Sequence, residues 1–197
     1  MINDDLVKFY KDGRTLIFDL DNTLFDERRY LFGAYKSIAK SQSQYDHAHI
    51  YKYLCDEFER CGRVSLLDKL QNTFPELDIS LCEMLDLMRT YDGSYIKLDL
   101  NSWFVDFLSV VSSEFIIRII TNGNIKQQKN KVNLLNINNL GFSADIAYAN
   151  LCGGKPNIGP YSMLVNSESF SRPVYIGDSN VDKIFCQNLG IDFYNIH

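Results

Sequence analysis

Two carboxylates, Asp19 and Asp21, leave the end of an apolar run in the segment LIFDLDNTL, residues 16–24. In extended backbone residues i and i+2 point the same way, so both acids can converge on one spot beyond the carboxyl end of the run. Carboxylates at that range repel unless a cation or a shared proton lies between them, and hard oxygen donors suit Mg2+. A calcium loop of the EF-hand kind is excluded by spacing: its sixth position, counted from Asp19, falls on Leu24 rather than glycine, and its twelfth on Tyr30 rather than glutamate.

Three later stretches carry matching chemistry. Thr121-Asn122-Gly123 closes a second apolar run with a hydroxyl, an amide and a glycine that lets backbone N–H groups approach an anion. Gly153-Gly154-Lys155-Pro156 follows a third run and offers a compact positive charge suited to phosphate. In GDSNVD, residues 177–182, Asp178 stands at the exit of a fourth run and Asp182 one turn later, if a helix begins near Asn180. Each stretch alone is equally a turn, a loop or a helix cap. Four in succession, each at the end of an apolar run, point to one site.

The elements that must position these groups are legible as well. Residues 15–19, 115–121, 144–148, 173–177 and 191–194 are short runs rich in β-branched or aromatic residues, as expected of parallel strands covered on both faces. Helical stretches at 124–136, 157–168 and 181–189 alternate with the later runs, with Leu164, Val165, Ile184 and Phe185 expected on core faces. This pace predicts an α/β fold with a doubly wound, Rossmann-like parallel-sheet core, which binds ligands beyond the carboxyl ends of its strands. The interval between the first two strands is too long for one crossover helix. Within it Leu31, Tyr35, Ile38 and Ala39 recur at helical spacing, as do Ile50, Leu54, Phe58 and Cys61, and then Leu81, Leu85 and Met88. Residues 27–92 therefore read as a small all-α cap domain inserted after the first strand, with the core formed by 1–26 and 93–197. A further helix near 101–113 returns the chain to the sheet. Tyrosines of the insertion, among them Tyr30, Tyr35, Tyr45, Tyr51 and Tyr53, read as core and interface rings.

With 46% hydrophobic and 23% charged residues, the 197-residue chain has the composition of a soluble globular protein. Its net charge of -5 comes from scattered acids, and no basic block suggests nucleic acid as a partner. The five cysteines are an odd number without a CxxC pair, as expected of reduced thiols in a cytoplasmic protein. No apolar segment resembles a signal peptide or a membrane span, so neither export nor a membrane partner is expected.

In order and wording the four stretches resemble the haloacid dehalogenase-like (HAD) hydrolase superfamily. Its first motif, D-x-D-x-[TV]-[LV], is met by DLDNTL from Asp19 to Leu24; its second, Ser or Thr at a strand end, by Thr121; its third by Lys155; and its acidic fourth by Gly177, Asp178 and Asp182. The resemblance spans residues of about 14 to 194, and a helical insertion between the first two motifs is similar to the subfamily I cap, which closes over small substrates.

The resemblance implies a magnesium-dependent phosphomonoesterase acting on a small phosphate ester: a sugar phosphate, nucleoside monophosphate or phospho-acid. Asp19 would be the nucleophile that becomes an aspartyl-phosphate, and Asp21 the acid for the leaving alkoxide and then the base for water. Mg2+ would be held by the Asp19 carboxylate, the Asp21 backbone carbonyl and Asp178, with Asp182 one layer out or fixing Lys155. Lys155 would offset negative charge, while Thr121 and the N–H groups near Asn122 and Gly123 would hold phosphoryl oxygens. An acid at Asp21 favours phosphate over halide as the leaving chemistry, because a halide departs without a proton. The closest alternative is a phosphomutase on the same core; a receiver-like or non-catalytic phosphate-binding module is the alternative of a different class. The expected assembly is a monomer or homodimer.

Overall fold

The computed structural model describes residues 3–42, 46–165 and 170–196. Its described elements run α1 (Asp4–Lys11), β1 (Leu16–Phe18), α2 (Glu27–Lys40), α3 (His47–Cys61), α4 (Leu66–Thr73), α5 (Leu81–Thr90), α6 (Ser102–Leu108), β2 (Ile116–Thr121), α7 (Ile125–Leu134), β3 (Ser143–Tyr148), α8 (Gly159–Leu164), β4 (Val174–Gly177), α9 (Asn180–Leu189) and β5 (Asp192–Asn195). Short 3-10 turns occupy Ile137–Asn139 and Ala149–Cys152. The strands form one parallel sheet in the order β3-β2-β1-β4-β5.

Because β1 is the middle strand and is buried along its whole length, successive side chains must find cover on opposite faces. Ile17 joins Ile120, Ala147, Tyr175, Phe185 and Cys186 in one core layer, against which Tyr161 and Leu164 of α8 and Leu189 of α9 pack. Phe18 faces the other way, its ring centroid 5.3 Å from Phe104 and 6.4 Å from Trp103 of α6. Tyr10 of α1 meets Phe107 edge-on at 6.3 Å. Helices on both faces complete the doubly wound architecture. Ile184, expected on a core face, is exposed, and the neighbouring Phe185 and Cys186 carry the burial of α9. Part of the predicted helix 157–168, residues 166–169, lies outside the described residues, as does Tyr45.

The chain divides into two compact units, residues 1–27 with 99–197, and residues 28–98. The second unit holds α3, α4, α5 and all of α2 beyond Glu27. Asp46 caps α3 by accepting from the Ala48 N–H, and Ser80 with Glu83 forms a reciprocal capping box on α5. Tyr30 is fully buried and donates to the Met88 carbonyl at 2.6 Å. The exposed Cys61 and buried Met84 shift the apolar faces of α3 and α5 from those expected. Beyond α5 the Tyr91 hydroxyl accepts from the N–H groups of Tyr95 and Ile96 and donates to the Ile96 carbonyl. These bonds close residues 91–96 into a tight turn, and the second unit runs on to Leu98.

Candidate active site

The strand order sets β2 and β4 on either side of β1, so residues leaving the carboxyl ends of these three strands are neighbours. The chain winds outward from β1 through β2 to β3, then returns to β4 on the other side of β1. That reversal is the switch point at which open α/β sheets hold ligands. Asp19 leaves β1 there, its N–H still bonded to the Ile176 carbonyl at 2.8 Å, and Asp178 leaves β4.

Lys155 arrives from the loop after β3. Its ammonium donates to Asp19 Oδ1 at 2.6 Å, Asp182 Oδ1 at 2.6 Å and the Tyr175 hydroxyl at 2.8 Å. Those three acceptors use all of its protons. Tyr175, wholly buried on β4, in turn donates to the Ile120 carbonyl at 2.8 Å and ties the lysine to the sheet. Asp182 is also fully buried, and its other oxygen accepts from the Ser179 hydroxyl at 2.6 Å in the capping box of α9. Glycine at 177 is required by this packing, because a Cβ there would lie 2.7 Å from Asp182 Oδ2.

Asn122 stitches the loop after β2 to the lysine loop: its Oδ1 accepts from the Lys155 N–H at 2.7 Å and its Nδ2 donates to the Lys155 carbonyl at 3.0 Å. Thr121 is buried at the end of β2 and donates to the Asn122 carbonyl at 3.3 Å. The Gly123 N–H donates to Asn150 Oδ1 at 3.2 Å.

Asp21 turns elsewhere. Its two oxygens accept from Lys131 Nζ at 2.7 Å and Gln128 Nε2 at 2.9 Å, and Lys131 also bonds Glu27 at 2.8 Å. The turn after Asp21 is closed by the Leu24 N–H on the Leu20 carbonyl. Asn22 takes the left-handed backbone conformation that asparagine tolerates, and its side chain accepts from the Glu27 N–H.

Electrostatics follow from this burial. Burial raises the Asp19 carboxyl to about 7; Lys155 opposes the rise, and Asp182 and Asp21 add to it. Asp21 is raised by burial and by Glu27 against the pull of Lys131. Burial alone would lower the Lys155 ammonium, but Asp19 and Asp182 outweigh it and hold it above the ordinary lysine value. Burial, with the same two carboxylates, keeps Tyr175 protonated far above its usual range.

One carboxylate oxygen each from Asp19, Asp178 and Asp182 lies within 4.8 Å of the others. An acidic all-oxygen set without nitrogen or sulfur donors fits a hard divalent cation such as Mg2+. The Asp21 side chain is not in this group. Of the residues singled out in the sequence, Asp19, Lys155 and Asp182 thus meet directly, Asp178 adjoins them, and Asn122 braces the lysine loop. Tyr175, Gln128, Lys131 and Glu27 were not singled out. Tyr175 reads in sequence as one more core ring, and Lys131 is indistinguishable there from Lys126 and Lys129 on the same helix.

The chain belongs to the haloacid dehalogenase-like hydrolase family, whose profile matches residues 16–196. Among solved structures it is similar to YfnB from Bacillus subtilis, described as a HAD-hydrolase bound to magnesium, at 20% identity and a TM-score of 0.66 over 91% of this chain and 85% of that one. It is also similar to a protein from Thermotoga maritima described as a β-phosphoglucomutase (19% identity, TM-score 0.57, 93% and 86% covered). A third, from Lactobacillus plantarum and described as a phosphoglycolate phosphatase, has 18% identity and a TM-score of 0.54, with 92% and 84% covered. At these identities the likeness establishes the fold. No curated protein matches the chain in sequence. Among the described residues, no helix is long and apolar enough to cross a membrane.

Proposed function

We propose that the protein is a magnesium-dependent phosphomonoesterase that acts on a small phosphorylated metabolite through an aspartyl-phosphate. The observation that carries this reading is the buried Asp19–Lys155–Asp182 group beside Asp178, with a second acid, Asp21, two residues from Asp19. Asp19 is the nucleophile: its carboxylate oxygen bonds to phosphorus in line with the leaving oxygen, and the ester P–O bond breaks. Asp21 gives its proton to the departing alkoxide, then takes one from the water that hydrolyses the aspartyl-phosphate. Lys155, held by Tyr175 and Asp182, orients the Asp19 carboxylate and offsets charge on the transferring phosphoryl group. Thr121, Asn122 and Gly123 shape the loop that receives the phosphoryl oxygens.

Asp19 and Asp178, with the Asp21 backbone carbonyl, would hold the magnesium, and Asp182 would support Lys155 behind it. Bound there, the cation supplies positive charge that favours ionised Asp19 and offsets the phosphate. The magnesium in the B. subtilis relative supports this reading, and the phosphatase and mutase descriptions of the other two relatives support phosphoryl transfer as its class. We assign substrate selection to the all-α unit, residues 28–98, as a subfamily I cap. A cytoplasmic setting agrees with five unpaired cysteines.

Hydrolysis of p-nitrophenyl phosphate, with magnesium and with chelator, beside Asp19→Asn, tests the proposal. Magnesium-dependent turnover that disappears in the variant is expected. Turnover that survives Asp19→Asn refutes the covalent step, and a phosphoryl group that passes from Asp19 to a second sugar hydroxyl in preference to water makes the protein a mutase.

A further inference from the structure

The pair Lys131 and Gln128 is buried, polar and unused by the scheme above. Lys131 is 1% exposed on α7, a helix that otherwise buries only Val132 and Gln128. An ammonium in such a place is costly unless it is fully paired. Lys131 is paired on two sides, to Asp21 Oδ1 at 2.7 Å and to Glu27 Oε1 at 2.8 Å, with the Phe25 ring 5.9 Å from its nitrogen. Gln128, one turn earlier, donates to the other Asp21 oxygen at 2.9 Å and to the Asn122 carbonyl at 2.6 Å. Both oxygens of Asp21 are thus engaged by one helix. That helix starts directly after Thr121-Asn122-Gly123 and is capped by Asn124, whose side chain accepts from the Gln127 N–H. Its register is therefore tied to the loop assigned to the phosphoryl group.

A carboxylate has about four acceptor positions, so two donors leave each oxygen a further lone pair for a proton in transit. What they remove is rotation. Asp21 lies beyond the end of β1 with its backbone in an isolated bridge to Phe25, which leaves the carboxylate itself to be held by side chains, and proton transfer needs its oxygen within hydrogen-bond reach of the leaving atom.

We propose that Lys131, with Gln128, is a positioning residue for Asp21: it fixes the plane of the carboxylate from behind, and Glu27 balances its charge. The proposal rests on the phosphatase reading and adds the device that aims its acid. Lys131→Met alone would leave Asp21 and Glu27 buried with no cation between them, so the informative protein is the charge-balanced double variant Lys131→Met/Glu27→Gln.

The experiment measures kcat/KM for wild type and double variant on two substrates that differ in leaving group, with far-UV circular dichroism as a fold check. Glycerol phosphate needs a proton on its departing alkoxide; 2,4-dinitrophenyl phosphate does not. A positioning role predicts a loss of roughly 10²-fold on glycerol phosphate and under about threefold on the dinitrophenyl ester. A purely structural role predicts equal factors on both, or full activity once charge is balanced, and either result overturns the proposal while leaving the phosphatase reading intact. Wild-type protein without Asp19-dependent turnover on either ester would overturn both.

Discussion

Lys155→Met removes the only cation that the described contacts place between Asp19 and Asp182, and its cost can be worked from the structure. Asp182 is wholly buried and Asp19 7% exposed, so the variant retains two carboxylates with almost no access to water. Removing one partner of a buried ion pair costs about 3–5 kcal/mol, because the remaining charge stays desolvated. For a chain of this size that is a fall of roughly 6–20 °C in melting temperature. The loss has a pH signature. Asp19 is already raised to about 7 with Lys155 pulling it down, so without the lysine it titrates higher still. A folded-state value above the unfolded one means that stability is full at acid pH and is lost as pH rises through the folded value. The difference between variant and wild type must therefore widen as pH rises past 7, where wild-type Asp19 ionises and the variant's carboxyl still holds its proton. Urea melts at pH 5.5 and 8.5, with chelator present so that no added cation replaces the ammonium, measure the difference directly. A deficit as large at pH 5.5 as at 8.5 would refute the reasoning, since the penalty would then not lie in the stranded carboxylates.

Two further substitutions probe the scaffold of the site and the helical unit. Tyr175→Phe takes an acceptor from Lys155 and a donor from the buried Ile120 carbonyl, so it should lower stability by about 2–4 kcal/mol and reduce kcat more than it raises KM; a variant with the wild-type urea midpoint would show that these bonds carry no weight. Gly33→Ala would ordinarily strengthen a helix by up to about 1 kcal/mol. Here the new Cβ would sit 2.3 Å from Tyr91 Cζ, on a ring whose hydroxyl is held by Tyr95 and Ile96, so the sign should reverse to a loss of about 1–3 kcal/mol in the same melts.

Much of this protein is written locally. A parallel strand covered on both faces must be a continuous apolar run, as β1 and β4 are; five short runs and the turn residues ending them announced the sheet and the ends at which Asp19, Thr121 and Asp178 emerge, although the edge strands β3 and β5 are partly exposed. The helical insertion was equally plain from its 3.6-residue periodicity. The edges of these elements were less so: burial on α9 turns on Phe185 and Cys186 rather than Ile184, and the Tyr91 hydroxyl closes a turn with the backbone of Tyr95 and Ile96 that no periodicity marks.

Only the tertiary structure decided how the polar groups pair. Lys155 meets Asp19 across 136 residues and Asp182 across 27, distances that no sequence period encodes. Tyr175 stands in an apolar run where its ring explains its presence, yet its hydroxyl carries the bond between lysine and sheet. Lys131 sits in a polar helix among other lysines, and it became the partner of Asp21 because α7 packs with that one face inward. Periodicity reports which residues are withdrawn from water; the partner of a buried charge is settled by whichever elements the fold brings to it, because the cost of desolvation must be met by whatever lies within hydrogen-bonding distance.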